Sequence, residues 1–160
     1  MNEQISNIYK EDKYFTEFKE DIINLLKILH GFEKCNVIMH HRFMKKEYDV
    51  FIITKRLTIG IEIKEANNYL KVFEQALERL DYVNHMYVLI GWHTFVPLTF
   101  SMYLDAMKYC QDLGYKVEDF LRIGILQAII NEKYKKVFLW KRSFTKEKAK
   151  GFEPLLKYIK

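Results

Sequence analysis

Residues 47–64 constrain this chain more than any other stretch, because Glu47-Tyr-Asp-Val-Phe-Ile-Ile-Thr-Lys-Arg-Leu-Thr-Ile-Gly-Ile-Glu-Ile-Lys64 reads only as a hairpin. Two runs rich in β-branched and aromatic residues, Tyr48 to Thr54 and Leu57 to Ile63, flank a short polar turn at Lys55-Arg56. A tight turn there pairs Thr54 with Leu57, Ile52 with Ile59 and Asp49 with Glu62. Opposed residues share a face of the sheet with Cβ atoms roughly 4.5–5.5 Å apart. Two carboxylates so placed repel each other unless something positive lies between them. Lys64, two residues past Glu62, projects from that same face, as does Gly60, which is expected to leave room above it. Ile59, Ile61 and Ile63 turn to the other side. An acid pair and an amine are thereby set together on an otherwise apolar sheet. A divalent cation with oxygen ligands at roughly 2.0–2.6 Å, Mg²⁺ or Mn²⁺, would bridge the acids. This arrangement suits metal-assisted hydrolysis, in which the ion acidifies a water and neutralises phosphate charge while the lysine orients the nucleophile.

Asp49, twelve intervening residues and Glu62-x-Lys64 resemble the signature of the PD-(D/E)XK nuclease superfamily. Glu-x-Lys also occurs at Glu11/Lys13 and Glu17/Lys19, but only the third copy lies on a β pattern with an acid across the hairpin. The resemblance implies catalytic Asp49, Glu62 and Lys64, with metal held by Asp49, Glu62 and the backbone carbonyl of Ile63. Small archaeal Holliday-junction resolvases are similar in layout: a first helix opens on a glutamate and runs to Gly-Phe, as Glu20 to Gly31-Phe32 does here. That likeness implies Glu20 as a further metal ligand, although the helical wheel sets it almost opposite the apolar stripe. It also implies Gln75 as an accessory residue in the helix after the Glu-x-Lys strand, where RecB-like nucleases continue to a tyrosine and this chain has Arg79. Tyr48 replaces the proline of the family name, and the resolvases' serine-containing loop is not evident in the short basic Arg42–Glu47 stretch. The C-terminal part looks more like other small archaeal and viral nucleases of the superfamily.

The order of elements agrees with such a core. Phe15, Phe18, Ile22, Leu25, Leu26 and Leu29 repeat at helical spacing, predicting a helix over Tyr14 to His30 that stops at Gly31. A strand over Cys35 to Phe43 precedes the hairpin, and a helix over Tyr69 to Asn84, with Asn67-Asn68 as N-cap, follows it. Met86 to Trp92 lacks polar alternation and reads as a buried strand. Beyond it lie a helix over Phe100 to Leu113 ending at Gly114, strands over Arg122 to Ile129 and Lys136 to Trp140, and a short helix around Glu153 to Tyr158. The expected fold is α/β, a restriction-endonuclease-like αβββαβ core with a mixed sheet flanked by helices. It forms one nuclease-like domain over residues 1–160, with its core at about 14–92 and a basic extension at about 114–160.

Charge suggests the partner. The net charge is +5, and from Asn131 onward ten lysines and arginines face only three glutamates. That basic end, interleaved with Tyr134, Phe138, Trp140 and Phe144, suits a phosphate backbone, as a solvated tail would also explain it. Lys45, Lys46, Lys55, Arg56, Lys141 and Arg142 are the candidate DNA contacts. With one site per chain, cutting both strands calls for a homodimer. The alternative is a DNA-binding or scaffold protein that retains the fold without cutting. No run approaches the ~18 apolar residues of a membrane span, and the first residues lack the order of a secretion signal. Cys35 and Cys110 are isolated thiols, which fits a reducing, intracellular (cytoplasmic) setting. His40 and His41, adjacent on a strand, face opposite sides and do not chelate together, though one could face the hairpin site. No Gly-rich phosphate loop, Gly-x-Ser-x-Gly or Cys/His nucleophile pair is present, which leaves out a nucleotide cofactor and serine-hydrolase chemistry.

Overall fold

A computed structural model of the protein describes residues 10–94 and 98–146. Six strands form one mixed sheet in the order β1 (Asn36–Phe43), β2 (Lys46–Ile53), β3 (Thr58–Glu65), β4 (His85–Trp92), β5 (Gly124–Ile130), β6 (Lys135–Lys141). The pairs β1/β2, β2/β3 and β5/β6 are antiparallel, whereas β3/β4 and β4/β5 are parallel. All eight residues of β4 are buried, as a central strand covered on both faces requires.

Two helical layers cover the sheet. On one face lie α1 (Lys13–Thr16) and α2 (Lys19–His30), packing Tyr14, Phe15, Ile22 and Leu26 against Val50, Ile52, Ile59, Ile61 and Ile63. On the other lie α3 (Tyr69–Arg79), α4 (Phe100–Asp112) and α5 (Val117–Arg122), which bury Val72, Phe73, Ala106 and Phe120 against Phe51, Met86, Val88 and Ile90. The fold is α/β with a mixed sheet flanked by helices, as expected.

Several boundaries differ from the sequence reading for physical reasons. The single helix expected from Tyr14 to His30 is broken between α1 and α2, where Phe18 has φ −116° and ψ 19°. Tyr14 and Phe15 are adjacent yet both fully buried, which a helix with one apolar stripe does not deliver. Asn68 does stand at the N-cap of α3, but it makes no side-chain cap hydrogen bond, and a 3₁₀ turn over Ala66–Asn68 leads into the helix. The helix after it ends at Arg79 and tightens to a 3₁₀ turn over Leu80–Tyr82 rather than running to Asn84. That residue instead accepts the Thr58 N–H through Oδ1 (2.8 Å), stitching β3 to the start of β4. The sequence reading had no counterpart for α5, six residues too few to show a period. The helix expected around Glu153 to Tyr158 lies outside the described residues.

Candidate active site

The hairpin has the register read from its sequence: Ile52 pairs with Ile59 and Val50 with Ile61. Thr54 fixes it. Its N–H donates to the Leu57 carbonyl at 2.9 Å, and its Oγ1 accepts the N–H groups of Arg56 and Leu57 at 3.2 and 3.0 Å. Beyond Val50/Ile61 the ladder stops, and side chains of the next pair take over its bonds. The Asp49 N–H donates to Glu62 Oε2 at 3.1 Å, and the Ile63 N–H donates to Asp49 Oδ2 at 2.8 Å. Strict alternation also fails here: Tyr48 and Phe51 both join the α3-side core, while Val50 joins the opposite one. The expectation of room over Gly60 is therefore overturned. A Cβ there would sit 2.6 Å from Tyr48 Cδ1 and 2.9 Å from Met86 Sδ, so those side chains fill the space.

Glu62 is 2% exposed. Burial pushes its carboxyl up to about 8, with the charge of Asp49 adding to the rise and those of Arg79 and Lys64 opposing it. Asp49 is also raised, chiefly by burial, while the Ile63 N–H and the charges of His40 and Lys64 pull it back. The two acids thus act on one another in a nearly dry setting, with Lys64 acting on both. Lys64 Nζ lies 3.7 Å from Glu11 Oε1, and Glu11 Oε2 accepts the Glu65 N–H at 2.6 Å.

Sequence reasoning missed several neighbours. Arg79 ends α3 with its Nε 3.5 Å from Glu62 Oε1, while that Nε donates to the Glu47 carbonyl at 2.7 Å. The position where the resemblance expected a tyrosine is thus a cation paired with the buried acid. Helical phase sets it on the same face as Gln75, one turn on, but only the packing of α3 brings it to Glu62. Asp12 enters from the segment before α1 and meets His40 Nε2 at 2.7 Å. Of the two adjacent histidines, His40 is the one facing the site; its φ of 51° in mid-strand sets its ring toward Asp12 and Glu47. His41 packs on Phe51 instead.

Other expected residues lie apart. Glu20 is exposed on α2 and lines a groove with Asn24, Lys27 and Asn36, on the side the helical wheel indicated. Gln75 is half-buried, and its carbonyl accepts from Arg79 at 3.0 Å. Lys45 and Lys46 sit at the β1–β2 turn near the acids, whereas Lys55 and Arg56 occupy the opposite end of the hairpin. Lys141 is not a free surface cation: its Nζ donates to the carbonyls of Leu121, Ile123 and Arg142 at 2.5, 3.0 and 3.1 Å. Arg142 turns inward too and donates to the Leu29 carbonyl at 3.3 Å. Of the aromatics expected to face nucleic acid, Trp140 donates through Nε1 to the Leu98 carbonyl at 2.8 Å, and Phe138 packs on the core. Tyr134 is 37% exposed.

Among the described residues, no three His, Cys, Asp or Glu side chains are disposed to hold one ion. Asp49 and Glu62 offer hard oxygen donors, but each gives one oxygen to a strand amide, and the other oxygen of Glu62 faces Arg79. That partial set fits Mg²⁺ or Mn²⁺, ions bound through one or two carboxylates with water and phosphate completing the shell, better than a cage of protein ligands. An ion here would compete with Arg79. No helix among the described residues is long and apolar enough to cross a membrane.

No protein-family model and no curated protein matches the chain. Among solved structures, SfsA of Pyrococcus furiosus in complex with Ca²⁺ is similar at 12% identity and a TM-score of 0.37. The match covers 88% of this chain, which spans 64% of that protein's length.

Proposed function

We propose that the chain is a Mg²⁺- or Mn²⁺-dependent nuclease that hydrolyses DNA phosphodiester bonds at the Asp49–Glu62 end of the hairpin. One observation carries this reading: two acids are held together where the sheet is nearly dry, with Glu62 2% exposed and its carboxyl pushed up to about 8. Such a pair favours a cation arriving among its oxygens. Asp49 and Glu62 would hold the ion, with the Ile63 carbonyl as the third protein donor. When bound, the ion supplies positive charge against the phosphate and acidifies a water. Lys64, whose charge already acts on both acids, orients that water and offsets charge building on the phosphate oxygens. Arg79 and the Asp49 and Ile63 amides fix the carboxylates in place before substrate arrives. Cutting both strands of a duplex would need two copies of the chain.

The Arg79–Glu62 ion pair favours a second reading, a DNA-binding protein that keeps the fold and does not cut, because the guanidinium already answers the charge of the buried acid. Supercoiled plasmid incubated with the protein and Mn²⁺ separates the two. Nicking that Asp49→Ala and Lys64→Ala both abolish supports the nuclease. Retardation of the plasmid without nicking, unaffected by metal, overturns it in favour of the binder.

A further inference from the structure

The far end of the same hairpin carries two cations that the acid site does not use, and a third joins them from beyond the end of α2. Lys55 and Arg56 project from the turn that Thr54 ties down, so their backbone is fixed before any ligand arrives. Lys34, just past the C-terminus of α2, comes up beside them. Together with His30, Phe32 and Thr54 they line a cavity of about 520 Å³, where Glu33 is the one acidic lining residue. Lys34 and Lys55 also line the adjoining hollow over Asn36 and Ile53. All three cations are exposed, and among the described residues none is in an ion pair. Lys64, Lys71, Arg79, Arg122 and Lys135, by contrast, each face a carboxylate. Three unpaired cations on a concave, pre-set rim cost repulsion in the free protein that an anion would relieve.

We propose that Lys34, Lys55 and Arg56 form a second phosphate-binding surface, remote from the acid pair, that holds the sugar-phosphate backbone of a nucleic acid. The choice of ligand class rests on the nuclease reading; the surface itself rests on its own geometry. The residues between Arg56 and Glu62 separate the two ends by roughly 20 Å of strand. That equals about six base-pair steps of duplex, a length that a single short DNA molecule spans. The rim sets where along the sheet the backbone lies and leaves chemistry to the other end.

The test measures binding without metal. Wild type, the triple variant Lys34→Ala/Lys55→Ala/Arg56→Ala and a control triple on the opposite layer, Lys71→Ala/Lys108→Ala/Lys116→Ala, are titrated in EDTA with a labelled duplex and with its single strand across a salt series. The rim triple is expected to weaken binding at least about tenfold and to lower the slope of log affinity against log salt by roughly 2 to 3, while the control keeps both. An unchanged slope in the rim triple, an equal loss in the control, or no wild-type binding overturns the proposal. Plasmid cleavage with Mn²⁺ is read in parallel. Wild type that binds through the rim yet never cuts overturns the nuclease reading and leaves this surface standing. Wild type that cuts while the rim triple binds normally does the reverse.

Discussion

Replacing Glu62 with glutamine tests the physical core of the site without any substrate. The folded chain holds a proton on Glu62 up to a pH of about 8, whereas the unfolded chain releases it near the ordinary 4.5. Between those values the folded state binds the extra proton, so this group's contribution to stability is full below about 4.5 and is lost as pH rises through about 8. At 1.36 kcal/mol per pH unit, the displacement amounts to about 5 kcal/mol as a ceiling. Because Glu62 is 2% exposed, solvent screening removes little of it. Asp49, raised by the same burial, adds in the same direction. Urea unfolding in EDTA across this pH range should therefore show the wild-type midpoint falling toward alkaline pH. Glu62→Gln, uncharged throughout, should fall much less and overtake wild type near pH 8. Millimolar Mn²⁺ should restore the wild type there and do little for the variant. Parallel curves for the two proteins would refute the reasoning, since they would mean that Glu62 is ionised in the folded chain at no cost.

The other end of the sheet should respond with opposite sign. The rings of His30 and His85 stack at 3.8 Å beside Arg142, and burial lowers them to about 3 and about 4. Stability held above about 6.5 is then lost as pH falls toward those values, and His85→Phe should flatten that acid limb in the same urea series. Lys141→Met should cost about 1–3 kcal/mol of stability for the abandoned carbonyls, read as a lower thermal midpoint, while leaving DNA affinity and its salt slope unchanged. Gly124→Ala places a Cβ 2.7 Å from the backbone nitrogen of Ser143 and against the Tyr87 ring, and should cost about 1–3 kcal/mol by calorimetry.

The hairpin was legible because its signal is local. A period of two, an apolar face and a turn that Thr54 can close leave one register, and that register brings Asp49 and Glu62 together. The succession of six strands along the chain followed from the same kind of pattern, while their order in the sheet came only with the fold. What lay beyond reach depended on packing between distant segments. Asp12 and Glu11 stand in a polar stretch with no periodicity, and only the fold carries them under β1 and β3. Lys141 sits in a run of lysines indistinguishable by composition from a solvated tail, yet the carbonyls at the end of α5 draw its ammonium inward. Arg79 lay between these cases: its distance from Gln75 was visible, but its approach to Glu62 requires knowing that α3 ends over β2. The break at Phe18 was hidden because Tyr14 and Phe15 find separate places in the core, where a wheel allows only one stripe.

The same two acids also have a structural duty, and that duty must be separated from metal binding. Where β2 and β3 part, the N–H groups of Asp49 and Ile63 would be left without partners if carboxylate oxygens did not accept them. A fold could keep an acid pair for that reason alone. Asp49→Asn and Asp49→Ala distinguish the duties, because asparagine retains an oxygen for the Ile63 N–H and alanine does not. Leaving that buried amide unpaired should cost about 1–3 kcal/mol, so alanine lowers the unfolding midpoint while asparagine keeps the hydrogen bond. If the oxygens serve only the amides, asparagine then changes nothing beyond the pH dependence of stability that the charge of Asp49 brings. If they also receive an ion, asparagine folds like wild type but loses Mn²⁺ binding, read by the paramagnetic signal of the free ion at pH 8. Asparagine that folds and binds Mn²⁺ as wild type does would leave Asp49 an amide acceptor and nothing more.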